Sequence, residues 1–236
     1  MSLASFIPEH ISNKTVLAFY QMFTWIRVPG FIRKKNYIYN LKHLGDMWAG
    51  ARMNQTPYIE NQAQWSGIRF GAGRHHCMSY SGCEIIAVFN AWRALRGPGT
   101  PGEMADLIRE FEHSGAALWG AFGTSPRALI KYFRKCGLSV LVSYGENDSM
   151  KRIERESRAM IATVYNDGKD ITRQIHTVCI TGDRKQGFVL HNAYKRDKNG
   201  VYCASVPYGT LGEAVAHISE YEPKLICLIG ISEGQP

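Results

Sequence analysis

Paired cysteines are missing from this 236-residue chain: its six, at positions 77, 83, 136, 179, 203 and 227, form no CxxC motif and lie scattered in apolar surroundings. That excludes the dense disulfide framework of a small secreted domain, and the thiols are expected to be reduced. His75-His76-Cys77 lacks a second ligand pair at zinc spacing, so neither a metal nor a cofactor is expected. Long hydrophobic runs are also missing. The nearest, residues 16 to 26, falls well short of the ~20 apolar residues that a membrane span needs. The opening residues do not read as a leader, because Glu9 interrupts the positive region and no small-residue cleavage site follows, so a cytoplasmic protein is expected. There is no internal repeat and no low-complexity segment. A net charge of +8 implies attraction to acidic partners, yet no RNA-binding or helix-turn-helix signature accompanies it, so no specific nucleic acid is expected.

What is present is enough apolar material for a substantial core, with 45% hydrophobic and 20% charged residues. The first seventy residues form an aromatic and basic extension. Residues 16 to 26 read as an aromatic amphipathic helix, Pro29-Gly30 interrupts it, and Arg33-Lys34-Lys35 follows. Such a helix beside basic residues packs on its own domain, receives a partner helix, or makes peripheral contact with an acidic surface. Residues 36 to 74 show no clear period and are expected to be irregular. Residues 71 to 236 would then form the main domain.

Within that domain, Ser81-Gly82 reads as a turn delivering Cys83 to the first position of a helix. Ile85, Val88, Phe89, Trp92 and Leu95 recur at helical spacing, and Ile86, Ala87 and Ala91 widen the stripe until the helix should be largely buried. Unpaired N–H groups of a first helical turn favour thiolate over thiol. Further helices are predicted from Pro101 to Gly115 and from Pro126 to Gly137, the latter with Ser125 as N-cap. The second half then changes period. Strands are expected at 138–144, 159–165, 176–182, 187–194, 201–209 and 224–232, with helical stretches at 149–158 and near 211–219. Helices first and a mostly antiparallel sheet second make an α+β fold, with any cleft between the layers.

His176 opens one of these strands and Asn192 closes the next, so antiparallel pairing would place both at one end of the sheet. A cysteine nucleophile needs a base, and the base needs a group to orient its ring. Cys83, His176 and Asn192 supply those types, with the Asn side-chain oxygen accepting from one imidazole nitrogen while the other faces sulfur.

These segments carry a family resemblance. Ser81-Gly82-Cys83 with its apolar helix resembles the nucleophile segment of the bacteriocin-processing, double-glycine-leader cysteine peptidases, a branch of the papain-like superfamily. Gly123-Thr124-Ser125-Pro126 with Leu129, Phe133 and Cys136-Gly137 is similar to that group's next landmark; His176 to Gly182 resembles its histidine strand, and Leu190 to Tyr194 its Asn/Asp turn. The likeness covers residues 79 to 194, about half the chain. It implies a papain-like fold and a catalytic triad of Cys83, His176 and Asn192 acting on a peptide or protein substrate.

Two positions depart from the pattern. Residue 77 is Cys where papain-like enzymes place an oxyanion-binding glutamine; Gln62 and Gln64 are too far away for the usual loop, leaving Ser79, His75 or His76 as donors beside the Cys83 N–H. Glu84 replaces a small residue, and either raises the Cys83 pKa or points to solvent. Three activities fit: hydrolysis of a peptide or other amide bond through a Cys83 thioester, amide-forming acyl transfer, or peptide binding by a catalytically inactive module.

Overall fold

The computed structural model describes residues 13–50, 58–73, 76–145, 147–166 and 175–234. His75 and most of the polar loop before His176, residues 167–174, lie outside them. The chain is α+β. Helices α1 (Asn13–Met22), α2 (Gly30–Gly50), the single turn α3 (Met78–Ser81), α4 (Cys83–Arg96), α5 (Pro101–His113) and α6 (Pro126–Lys135) come first. Strand β1 (Ser139–Ser143), helix α7 (Asp148–Glu156), strands β2 (Ala159–Tyr165), β3 (Ile175–Asp183) and β4 (Gly187–His191), helix α8 (Leu211–Ala216) and strand β5 (Lys224–Ser232) follow. The five strands form one antiparallel sheet in the order β1-β5-β2-β3-β4.

Strand alternation gives the sheet two apolar faces. Ala159, Ile161, Cys179, Ile229 and Ile231 join the core built around α4 to α6, whereas Met160, Ala162, Val164, Val178 and Ile180 meet α7 and α8. The sheet is therefore sandwiched between two helical layers, one more than the order of elements implies. Helix α4 is the central element: Ile85, Ile86, Ala87, Val88 and Ala91 are all fully buried. Local chemistry sets the helix ends. Thr100 and Glu103 form a reciprocal capping box at the start of α5. Ser125 occupies the N-cap position of α6, but its hydroxyl bonds to Gln21 Oε1 at 2.8 Å instead of capping the helix.

The expectation of irregular structure over 36–74 is corrected by α2. Its inward face hides the apolar period because two inward positions are asparagines: Asn36 donates to Gly71 O and to Glu112, and Asn40 pairs with both the N–H and the C=O of Arg69. Leu17, Val28, Leu44, Trp48 and Trp65 enter the same apolar cluster as α4. The predicted strand at 201–209 is likewise corrected. Only isolated bridges form there, Arg196 with Tyr202 and Phe188 with Tyr208, and Pro207 between them has no N–H to offer a ladder. No helix among the described residues is long and apolar enough to cross a membrane.

Candidate functional site

Gly82 precedes α4 without a side-chain cap, so the first-turn N–H groups lack that partner and Cys83 sits at the positive end of the helix. A side chain at Gly82 would collide with Met78, with a Cβ only 2.6 Å from its carbonyl oxygen. The absence of a side chain thus lets α3 turn directly into α4. Cys83 is 7% exposed. Its thiol lies against the backbone N–H of Thr177, which favours the thiolate, but burial foremost and Glu84 next raise its pKa well above the usual range.

His176 lies in β3 where the strand has one partner only, since β2 pairs along its whole length and β4 pairs only from Cys179 onward. The chain leaving β4 crosses this open side. Asn192 there has φ 62°, which turns its main-chain carbonyl onto the ring, and His176 Nε2 lies 2.7 Å from that oxygen. A carbonyl can only accept, so Nε2 carries the proton and Nδ1 of the neutral ring is left as the acceptor. Burial lowers the pKa of His176, which keeps it neutral at pH 7. Tyr194 stacks on the ring at 4.9 Å between centroids.

The structure therefore brings His176 and Asn192 together, but through the main chain. The expected contact from the Asn192 side chain is corrected: its Oδ1 accepts from Gln62 N at 3.0 Å and its Nδ2 faces Gln62 Oε1 at 3.4 Å. Cys83 reaches the peptide following His176, and among the described residues no hydrogen bond joins its sulfur to the imidazole. The alternation of β3 aligns His176 with Val178 and Ile180, opposite Cys179 and the α4 side.

Of the oxyanion candidates, His76 is exposed and its Nδ1 bonds to Gly73 O at 2.7 Å, while the Ser79 hydroxyl lies 3.2 Å from Cys77 Sγ. Gln62, set aside on sequence distance, is buried at the site. Its Nε2 donates to the carbonyls of Met78 and Ser79 on α3. Its neighbours fasten the same segment. Asn90 of α4 pairs with both the N–H and C=O of Ile59, and Glu60 accepts from His191 Nδ1 at 2.7 Å and from Asn192 N at 3.0 Å. Residues 58–62 therefore tie α3, α4 and the end of β4 together. The only sequence signal was negative: polar residues placed where no local structure would satisfy them.

Glu84 does not reach solvent. It is 2% exposed, Tyr20 of α1 lies 3.4 Å from its Oε1, and among the described residues its Oε2 has no hydrogen-bond partner. Burial raises its pKa from 4.5 to about 7. The folded state thus holds a proton that the unfolded chain releases above pH 4.5, and stability from this group is lost as pH rises through about 7. The full loss is roughly 3 kcal/mol. Glu84→Gln, neutral throughout, should have a melting temperature increasingly above that of the native chain as pH goes from 5 to 8, by several degrees at the upper end. Glu112, also raised to about 7 by burial, cancels in the comparison.

Asn192→Gly supplies a second expected result. Glycine accepts positive φ and keeps the carbonyl, so the Nε2–H tautomer of His176 should persist in nitrogen-correlated NMR spectra. Stability should fall by about 1–3 kcal/mol because the buried Gln62 N–H loses its acceptor.

A cleft of about 620 Å3 lies between α4, α5 and α6, lined by Trp92, Arg96, Glu103 and Arg109 among others. Its α4 lining runs from Phe89 to Arg96, roughly 9–20 Å along the helix from Cys83 at 1.5 Å per residue, and Cys83 does not line it. Comparison with protein-family models finds no match, and comparison with curated protein sequences finds none either.

Proposed function

We propose that the chain is a papain-like thiol enzyme that cleaves a peptide or other amide bond through a thioester at Cys83, with His176 as the proton carrier. The observation that carries this reading is the placement of Cys83 at an uncapped helix start against the His176–Thr177 peptide, with the imidazole held in the tautomer that leaves Nδ1 free to accept. The resting pair is neutral thiol and neutral ring, so deprotonation accompanies attack. The His176 ring, which rests on the face of β3 away from α4, turns about its side-chain bonds to meet sulfur at the open edge of the strand. The Sγ proton passes to Nδ1 as sulfur adds to the carbonyl carbon; the amine then leaves with that proton, and a thioester remains. Water attacks the thioester and gives one proton to Nδ1. Collapse releases the acid, and the thiol recovers its proton. A backbone N–H of the first turn of α4 faces the developing oxyanion. An amine in place of water would make the same site an acyltransferase.

The burial of Cys83 and the adjacent carboxylate favour a second reading, a peptide-binding module without turnover. Iodoacetamide labelling of the intact protein with mass-spectrometric mapping separates the two. The enzyme reading expects Cys83 to be labelled in the intact protein along with the exposed Cys136, at a rate that His176→Ala lowers. Labelling of Cys136 alone, with Cys83 protected until unfolding, would overturn it.

A further inference from the structure

Helix α2 buries one face through Asn36, Asn40, Leu44 and Trp48, and the opposite face is a regular solvent stripe. Phe31, Lys34, Lys35, Ile38, Leu41 and Lys42 are all exposed and recur at three- and four-residue steps, so apolar and cationic side chains interleave along one line. Phe31 is 75% exposed and Ile38 59%. Just before the helix, Trp25 is 81% exposed and Arg27 is exposed beside it. The patch continues onto the loop between α5 and α6, where Trp119 N donates to Ile26 O and Phe122 stacks on Phe23. Trp119 and Leu118 adopt positive φ, 58° and 45°, so the backbone there is strained in a loop that leaves an indole half in solvent.

Charge identifies what this surface fits. Residues 13–45 contain six Lys and Arg and no Asp or Glu, the first acid after them being Asp46. Aliphatic and aromatic side chains set between lysines match a bilayer interface, where the rings and methyl groups enter the headgroup boundary and the ammonium groups remain among the phosphates. A nucleic acid would use the lysines and stack on the rings but has no use for exposed Ile38 and Leu41.

We propose that the outer face of α2, together with Trp25, docks the protein on an anionic membrane surface, lying on the bilayer without crossing it. The proposal is independent of any chemistry at Cys83. Its test is co-sedimentation of the full chain with phosphatidylcholine vesicles, with and without phosphatidylglycerol, while tryptophan emission is followed. Binding to the anionic vesicles at low salt, a blue shift, and release at high salt are expected. Lys34→Glu with Lys35→Glu, and separately Phe31→Ser with Ile38→Ser, should each lower partitioning by at least ~10-fold, with circular dichroism unchanged. The proposal is overturned by failure to bind anionic vesicles, or by equal binding to neutral ones. It is overturned equally by tight RNA binding that survives the Phe31/Ile38 change, or by a dimer that the same change dissolves.

Discussion

His176→Ala is expected to slow acylation of Cys83 by about 10²–10⁴-fold, the usual contribution of a positioned proton carrier. The size follows from the resting state. Burial and Glu84 hold the thiol well above its usual pKa, so almost no thiolate stands ready at neutral pH, and attack depends on a base that takes the proton as the bond forms. His176 is suited to this because burial keeps it neutral and the Asn192 carbonyl leaves Nδ1 unprotonated. Single-turnover reaction with an activated acyl ester, followed by intact mass, measures the loss. A change smaller than threefold or so would remove His176 from the role.

Gly123→Ala should be among the most damaging small substitutions near the site. Gly123 has φ 71°, and a Cβ there would lie 2.7 Å from Glu84 Oε2 and 2.8 Å from Oε1. Left-handed backbone costs a non-glycine residue ~1–2 kcal/mol, and overpacking a closed core adds ~1–3 kcal/mol. Urea denaturation should therefore show a loss of about 2–5 kcal/mol. In a Glu84→Ala background only the backbone part should remain, since the colliding carboxylate is gone. Equal losses in both backgrounds would mean that the carboxylate does not rest against Gly123. Because Glu84 also raises the Cys83 pKa, Glu84→Gln should move the onset of Cys83 alkylation to lower pH.

How far the sequence reaches differs from element to element. Helix α4 was legible because its signals are local: Ser81-Gly82 as the turn and an apolar stripe wide enough to demand burial on all sides. The strands were legible from β-branched runs and the pairing of β3 with β4 from the turn between them, whereas β5 inserts between β1 and β2, a long-range pairing that no turn announces. Helix α2 was not, since Asn36 and Asn40 occupy core-facing positions and break the apolar period while serving carbonyls about thirty residues away. The proximity of His176 to Asn192 followed from strand order, but the atom that makes the contact depends on one dihedral, the positive φ of Asn192, which an asparagine permits without announcing. Gln62 lay beyond reach for another reason. Its tie to Asn192 spans 130 residues and belongs to no motif. The sequence left Glu84 either raising the thiol pKa or pointing to solvent, and its burial beneath Tyr20 and Gly123, which decides between them, became visible only from the packing of α1 and the loop before α6.

The central claim is that Cys83 is the nucleophile of a thioester-forming site. Acid-quenched peptide mapping after brief exposure to an activated acyl ester tests it most directly. The account predicts a single acyl group on the peptide containing Cys83, absent from Cys83→Ala and strongly reduced in His176→Ala. Acylation at Cys136 or spread over several cysteines, with the Cys83 peptide unmodified, would contradict it.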